Sequence, residues 1–133
     1  MMIRERQIAE ELMIEIREFI PFKTDCWTFI CDFYEHCYDI RIPRYQYDSL
    51  DYEKPPDQVW KDWQLINREE AAPGDVVIIK PPDNPMHLGI MLDDGDLIHT
   101  ASIGSPPVRI AHLDSIPKQF EVSFARYCGS DHH

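Results

Sequence analysis

Residues 87–100, HLGIMLDDGDLIHT, constrain the fold more than any other stretch of this 133-residue chain. Two apolar runs flank Asp93, Asp94 and Gly95, the pattern of an antiparallel hairpin closed by a tight turn. Strand side chains alternate faces, so the loop length decides which residues lie together. With a three-residue loop, Asp93 to Gly95, in which Gly95 takes a left-handed conformation, Leu92 pairs with Asp96 and Gly89 lies opposite His99. His87 and His99 then become diagonal neighbours on one face, about 7–8 Å apart at the backbone, where two imidazoles can meet edge to edge. A two-residue loop would send them to opposite faces.

The hairpin sits in a longer β pattern. PGD at 73–75 reads as a turn, VVIIK at 76–80 as a buried strand, and PVRIAHL and FEVSFARY, ending at Leu113 and Tyr127, as at least two more. The first forty residues are helical instead. Ile8, Leu12, Ile16, Phe19 and Ile20 recur at helical spacing up to Pro21, predicting an amphipathic helix over 5–20. Thr24 can cap a second helix, with Asp25 and Cys26 in its first turn and Phe29, Ile30, Phe33 and Cys37 as its apolar stripe. Residues 41–72 form an excursion rich in Pro, Tyr and Trp, in which only DQVWKDW suggests a short helix. Helices first and an antiparallel meander after predict an α+β fold, with helices packed on one face of a five- to six-stranded antiparallel sheet. The length suits a single domain over 1–133, with its core at 5–127.

Charge and cysteine usage narrow the partners. Lys and Arg number 13 against 24 Asp and Glu, a formal net charge of -11, and no basic stripe offsets it, which argues against nucleic acid. MMIRERQIAEEL is broken by charges before any signal-peptide core, and no segment suits a membrane span, so synthesis into a cytosol is expected. Cys26, Cys31, Cys37 and Cys128 lack CxxC spacing and are expected as free thiols. No Cys or His pair is closely spaced except the terminal His132 and His133, so neither a metal site nor a cofactor is expected.

A helix N-terminus lowers a thiol pKa, because unpaired backbone N–H groups and the helix dipole favour the thiolate. Cys26 has that placement, whereas Cys31, Cys37 and Cys128 read as packing residues. A thiolate nucleophile needs a general base, and His87 and His99 are the histidines that fall on strands flanking the turn. The inferred set is Cys26 as nucleophile, His87 as base and His99 fixing the orientation and tautomer of His87. Gly89 adds a side-chain-free position where a substrate backbone could approach. His36 and His112 have no comparable partners and read as solvated.

DC at 25–26, PGDVV at 73–77, HLGIML at 87–92 and LIHTA at 97–101 follow in order, with the second histidine twelve residues after the first. In this the chain resembles the NlpC-type cell-wall cysteine peptidases of the papain-like clan, over about residues 5–127. Within that family, DCWTFICDFYEHCYDIRIPRY and FARY are similar to the tail-tip protein K branch of long-tailed phages. The resemblance implies hydrolysis of peptidoglycan stem peptides, commonly next to diaminopimelate, through a thioester on Cys26. It also implies a substrate contact for Asp25, with Trp27 beside it, tail-tip proteins as partners, and the virion tail tip as location. Trp60 and Trp63 in the aromatic excursion are candidates for docking such a partner. The chain departs from many relatives at Trp27, which follows the nucleophile directly, in the approach IPFKT, and at Ile14, where relatives carry a substrate-binding Tyr. An altered substrate pocket is the expected consequence. Two other outcomes are compatible with the same scaffold: a structural tail-tip protein without catalysis, and an acyltransferase or deamidase sharing the thioester step.

Overall fold

The computed structural model describes residues 2–17, 26–42, 61–83, 86–100 and 107–129, with the backbone alone at Cys26. Two helices, α1 (Arg4–Glu15) and α2 (Cys26–Tyr38), pack on one face of a six-stranded antiparallel sheet. The strands are β1 (Trp63–Ile66), β2 (Val76–Lys80), β3 (His87–Met91), β4 (Asp96–Thr100), β5 (Val108–His112) and β6 (Glu121–Tyr127). The α+β fold read from the sequence is the fold observed.

The strand order is β1-β6-β2-β3-β4-β5, which corrects the expected meander. Strands β2 to β5 do follow one another as neighbours, but β6 returns across the sheet to pair with both β2 and β1. The segment that makes this return brings Leu113, Ile116 and Phe120 against Val77, Ile79, Met91, Leu97 and Phe124. Those five lie on the face turned away from the helices. The opposite face, with Val76, Leu88, Ile90, Ile98 and Val108, receives Ile8 and Leu12 of α1 and Phe29, Ile30 and Phe33 of α2. Apolar cover on both faces explains why consecutive residues Val76 and Val77 are both fully buried, where a half-solvated strand would alternate.

Two further expectations change. The first helix ends at Glu15 rather than at residue 20, because Ile16 leaves it in an extended conformation, closes its N–H on the Leu12 carbonyl and buries its own side chain. Phe19 and Ile20 lie outside the described residues. In the excursion, Trp63 opens the edge strand β1 where a short helix was expected, and residues 57–60 of that stretch lie outside the described residues. Trp63 faces Tyr127 across the β1–β6 ladder, and edge-on contacts with Trp27, Tyr34 and Tyr127 at 5.2–6.3 Å hold it in an aromatic cluster.

Helix α2 is fastened at its C-terminal end. Asp39 takes a left-handed conformation, and the Ile40 N–H returns to the Tyr34 carbonyl to close the last turn. The Tyr34 hydroxyl donates to the Gly74 carbonyl at 2.5 Å, and the Gly74 N–H donates to the Met91 carbonyl, linking α2 to the end of β3. Gly74 itself has φ +97, and any Cβ there would run into the Tyr38 hydroxyl, so the glycine of PGD serves both the turn and the helix contact. Asp75, the next residue, is buried. It accepts two bonds from Arg126 at 2.8 and 3.0 Å and one from the Ala72 N–H, tying the start of β2 to β6.

Helix α1 grips the hairpin turn through Arg6, whose guanidinium donates to Asp93 Oδ1 at 2.7 Å and to Asp96 Oδ2 at 2.8 Å. Its side chain is 19% exposed, so solvent screens this fork less than an open surface pair. Arg6→Ala is expected to lower stability by about 1 kcal/mol, less so at high salt. Melting curves at low and high ionic strength check this, and a melting temperature indifferent to the substitution would contradict it.

Candidate active site

The hairpin has the three-residue loop that puts the two histidines together. Asp94 and Gly95 have φ of 60° and 77°, the Leu92 N–H donates to the Asp96 carbonyl at 2.8 Å, and the Asp96 N–H to the Asp93 carbonyl at 3.1 Å. Gly89 is the ladder partner of His99. His87 and His99 therefore occupy diagonal positions on one face of the sheet. His87 opens β3 and His99 is the penultimate residue of β4, so both stand at the end of the sheet away from the turn.

The face is the one turned away from the helices, since the register aligns Ile79 with His87, and Val77 with Gly89 and so with His99. Both imidazoles are half-buried. Burial lowers the His87 pKa below its ordinary value. His99 is lowered as well, by burial first and then by the neighbouring His87 and Arg109, against a backbone hydrogen bond at Thr100 that acts the other way. Both are thus neutral at pH 7, the state a general base requires.

The same depression makes stability depend on pH. Below the ordinary histidine value near 6.5 the unfolded chain binds protons that the folded chain refuses, so stability falls as pH drops from there through the folded pKa values. Urea midpoints between pH 7.5 and 5 are expected to decline, and more shallowly in the His87→Gln/His99→Gln double variant. Parallel curves for the two proteins would contradict this.

Cys26 is the first residue of α2, the position the sequence implied, and its side chain and the whole of Asp25 lie outside what the structure describes. Tyr34, whose hydroxyl fastens α2 at Gly74, lies eight residues along the helix from Cys26, about 12 Å. Cys31 and Cys37 are buried in the helix-side core, as their spacing suggested. Cys128 is not: it follows the end of β6, exposed, with its thiol 3.2 Å from the Asp62 carbonyl.

The NlpC/P60 family model matches residues 16–123, which take in α2 and the whole hairpin. The chain belongs to the NlpC/P60 family. Its members are in general cysteine peptidases, and membership suggests cell-wall peptidase activity with peptidoglycan as substrate. A comparison with curated proteins returned no match. Among the described residues of this NlpC/P60 chain no helix is long and apolar enough to cross a membrane, and no group of three His, Cys, Asp or Glu side chains could hold a metal ion.

Two residues expected to contact substrate have structural surroundings in this NlpC/P60 domain. Trp27 is 2% exposed and packs edge-on against Trp63, which places its indole in the core. A Cβ on Gly89 would come within 2.9 Å of the Ile98 carbonyl oxygen and of Leu97 Cδ1, and within 3.4 Å of His99 Cβ. The space beside Gly89 is thus filled by the facing strand, and the glycine permits the close approach of β4 that carries His99. Trp63, expected to dock a partner, is occupied in the aromatic cluster, and Trp60 lies outside the described residues. His36 and His112 are exposed, and His112 also braces the hairpin, its Nε2 3.0 Å from the Asp94 carbonyl and its Nδ1 accepting from the Asp114 N–H.

One residue near the histidines was missed. Arg109 is the ladder partner of His99 on β5. The signal was a charge inside PVRIAHL, at a position where an apolar residue would continue the strand.

Proposed function

We propose that this NlpC/P60 protein is an endopeptidase of peptidoglycan stem peptides, acting next to diaminopimelate through Cys26, His87 and His99. The observation that carries the reading is the pair of neutral, half-buried imidazoles side by side at the end of the sheet, within a chain of this family. In this reading Cys26 reaches His87 around the end of the sheet where β3 begins. His87 takes the thiol proton, and the thiolate attacks the scissile carbonyl carbon. Collapse of the tetrahedral intermediate breaks the C–N bond, with the proton passing from His87 to the leaving amine. Water then attacks the thioester with His87 as base, releasing the carboxylic acid and restoring the thiol. His99 holds the His87 ring in the orientation and tautomer that this transfer needs.

The site of action in this proposal is the tail tip of a phage, prophage or gene-transfer particle, with tail-tip proteins as partners. Support comes from the likeness of residues 25–45 and 124–127 to tail-tip protein K sequences. The test is to incubate the protein with diaminopimelate-type peptidoglycan and its soluble stem peptides and to identify products by mass spectrometry. New amine and carboxyl ends next to diaminopimelate are expected. Intact peptides with folded protein would move the reading to a structural component of the tail.

A further inference from the structure

One row of residues crosses the sheet at the level of the second histidine: Val77, Gly89, His99 and Arg109, each directly opposite the next on β2, β3, β4 and β5. All four lie on the face that carries His87. Directly opposed residues in an antiparallel pair have Cα atoms about 4.5–5.5 Å apart, so the Arg109 side chain leaves the sheet beside the His99 imidazole. Arg109 is half-buried, unlike a rim residue, although basic residues number 13 against 24 acidic ones in this chain. The charged or titratable groups that face His99 from the described strands are His87 on β3 and Arg109 on β5, and both oppose a proton on its ring.

A guanidinium at this place serves two ends. Its fixed charge discourages protonation of the neighbouring imidazole. Its planar fork of five N–H donors matches a carboxylate in two parallel hydrogen bonds, a geometry that an ammonium lacks. We propose that Arg109 is a substrate-positioning residue, whose guanidinium takes a free carboxylate of an acidic peptide next to His99. The inference rests on the peptidase reading and adds to it a specificity. Diaminopimelate is a diamino diacid, so within a stem peptide it keeps a carboxylate that is not part of the main chain. That carboxylate is the group Arg109 receives, and it sets which peptide bond lies over the reacting thiol.

The test uses a diaminopimelate-containing stem peptide and the same peptide with its side carboxylates amidated. Wild type, Arg109→Gln and Arg109→Lys are compared for turnover, and for binding by calorimetry in the Cys26→Ala background. Arg109→Gln is expected to raise KM, and to weaken binding, about 10- to 100-fold for the carboxylate peptide and little for the amidated one. Arg109→Lys, which keeps the charge and loses the fork, is expected to fall between and serves alone if the Gln variant does not fold. The acid limb of kcat/KM is expected to move to higher pH in Arg109→Gln, a shift that a merely structural role would not cause. Equal losses on both peptides would overturn the inference and leave the peptidase reading standing. Binding that depends on Arg109 and on the carboxylate, without turnover in wild type, would uphold the inference and remove the peptidase reading. Absence of binding to either peptide in the Cys26→Ala background would overturn the inference outright.

Discussion

Cys26→Ala is expected to abolish stem-peptide hydrolysis, with a fall in kcat on the order of 10⁴ or more, because loss of a covalent nucleophile leaves only binding and electrostatic contributions. The fold should survive. Cys26 is the first residue of α2, and Phe29, Ile30 and Phe33, which dock the helix, are unchanged. Cys128→Ser provides the matched control: that thiol is exposed at the end of β6, and its replacement should leave kcat within about twofold. Single-turnover and steady-state rates on the same peptide check both. Residual wild-type activity in Cys26→Ala would require another nucleophile.

Phe33→Ala is expected to cost about 3–5 kcal/mol, the range for deleting a fully buried aromatic ring from a packed core. Phe33 is 0% exposed, lies within 6.2–6.4 Å of the Phe29, Tyr34 and Tyr38 rings of the same helix, and belongs to the buried cluster that α2 shares with Val76, Leu88, Ile90 and Ile98 of the sheet. A domain of this size has a total stability of about 5–15 kcal/mol, so the variant should sit close to its unfolding midpoint at 37 °C. Urea unfolding followed by tryptophan fluorescence reports it, since Trp27 and Trp63 pack in the neighbouring cluster. A loss under 1 kcal/mol would mean that α2 is not held by this core.

How much of this was legible in the sequence depends on the range of the interactions involved. The hairpin was readable to the residue because its register follows from a local count: three loop residues, one of them glycine, fix the pairing of Gly89 with His99. The stripe of α2 was readable for the same reason, a repeat within one element. The place of β6 was not, since pairing with β2 and β1 brings together residues from 41 apart (Lys80 and Glu121) to 64 apart (Trp63 and Tyr127), and nothing in FEVSFARY names its partners. Strand β1 is short, sits among aromatic residues and follows a proline-rich stretch, so its pattern was too brief to separate from a turn of helix. Trp27 illustrates a different limit. Its nearness in sequence to Cys26 suggested contact with substrate, but adjacent residues on a helix point about 100° apart, and this one points into the core. Arg109 shows the reverse case, a residue ten positions from His99 in sequence and directly opposite it in the sheet.

The central claim is that the helix N-terminus favours the Cys26 thiolate and that His87 takes up the thiol proton. The measurement that tests it most directly is the rate of alkylation of each cysteine against pH, read by mass spectrometry in wild type and in His87→Ala. Cys128 serves as an exposed internal reference, while Cys31 and Cys37 are buried. Cys26 is expected to react well below the ordinary thiol range near pH 8.5 and to move towards it when His87 is removed, while Cys128 stays where it is. A Cys26 profile that matches Cys128 in both proteins would contradict the assignment of Cys26 and His87 as a catalytic pair.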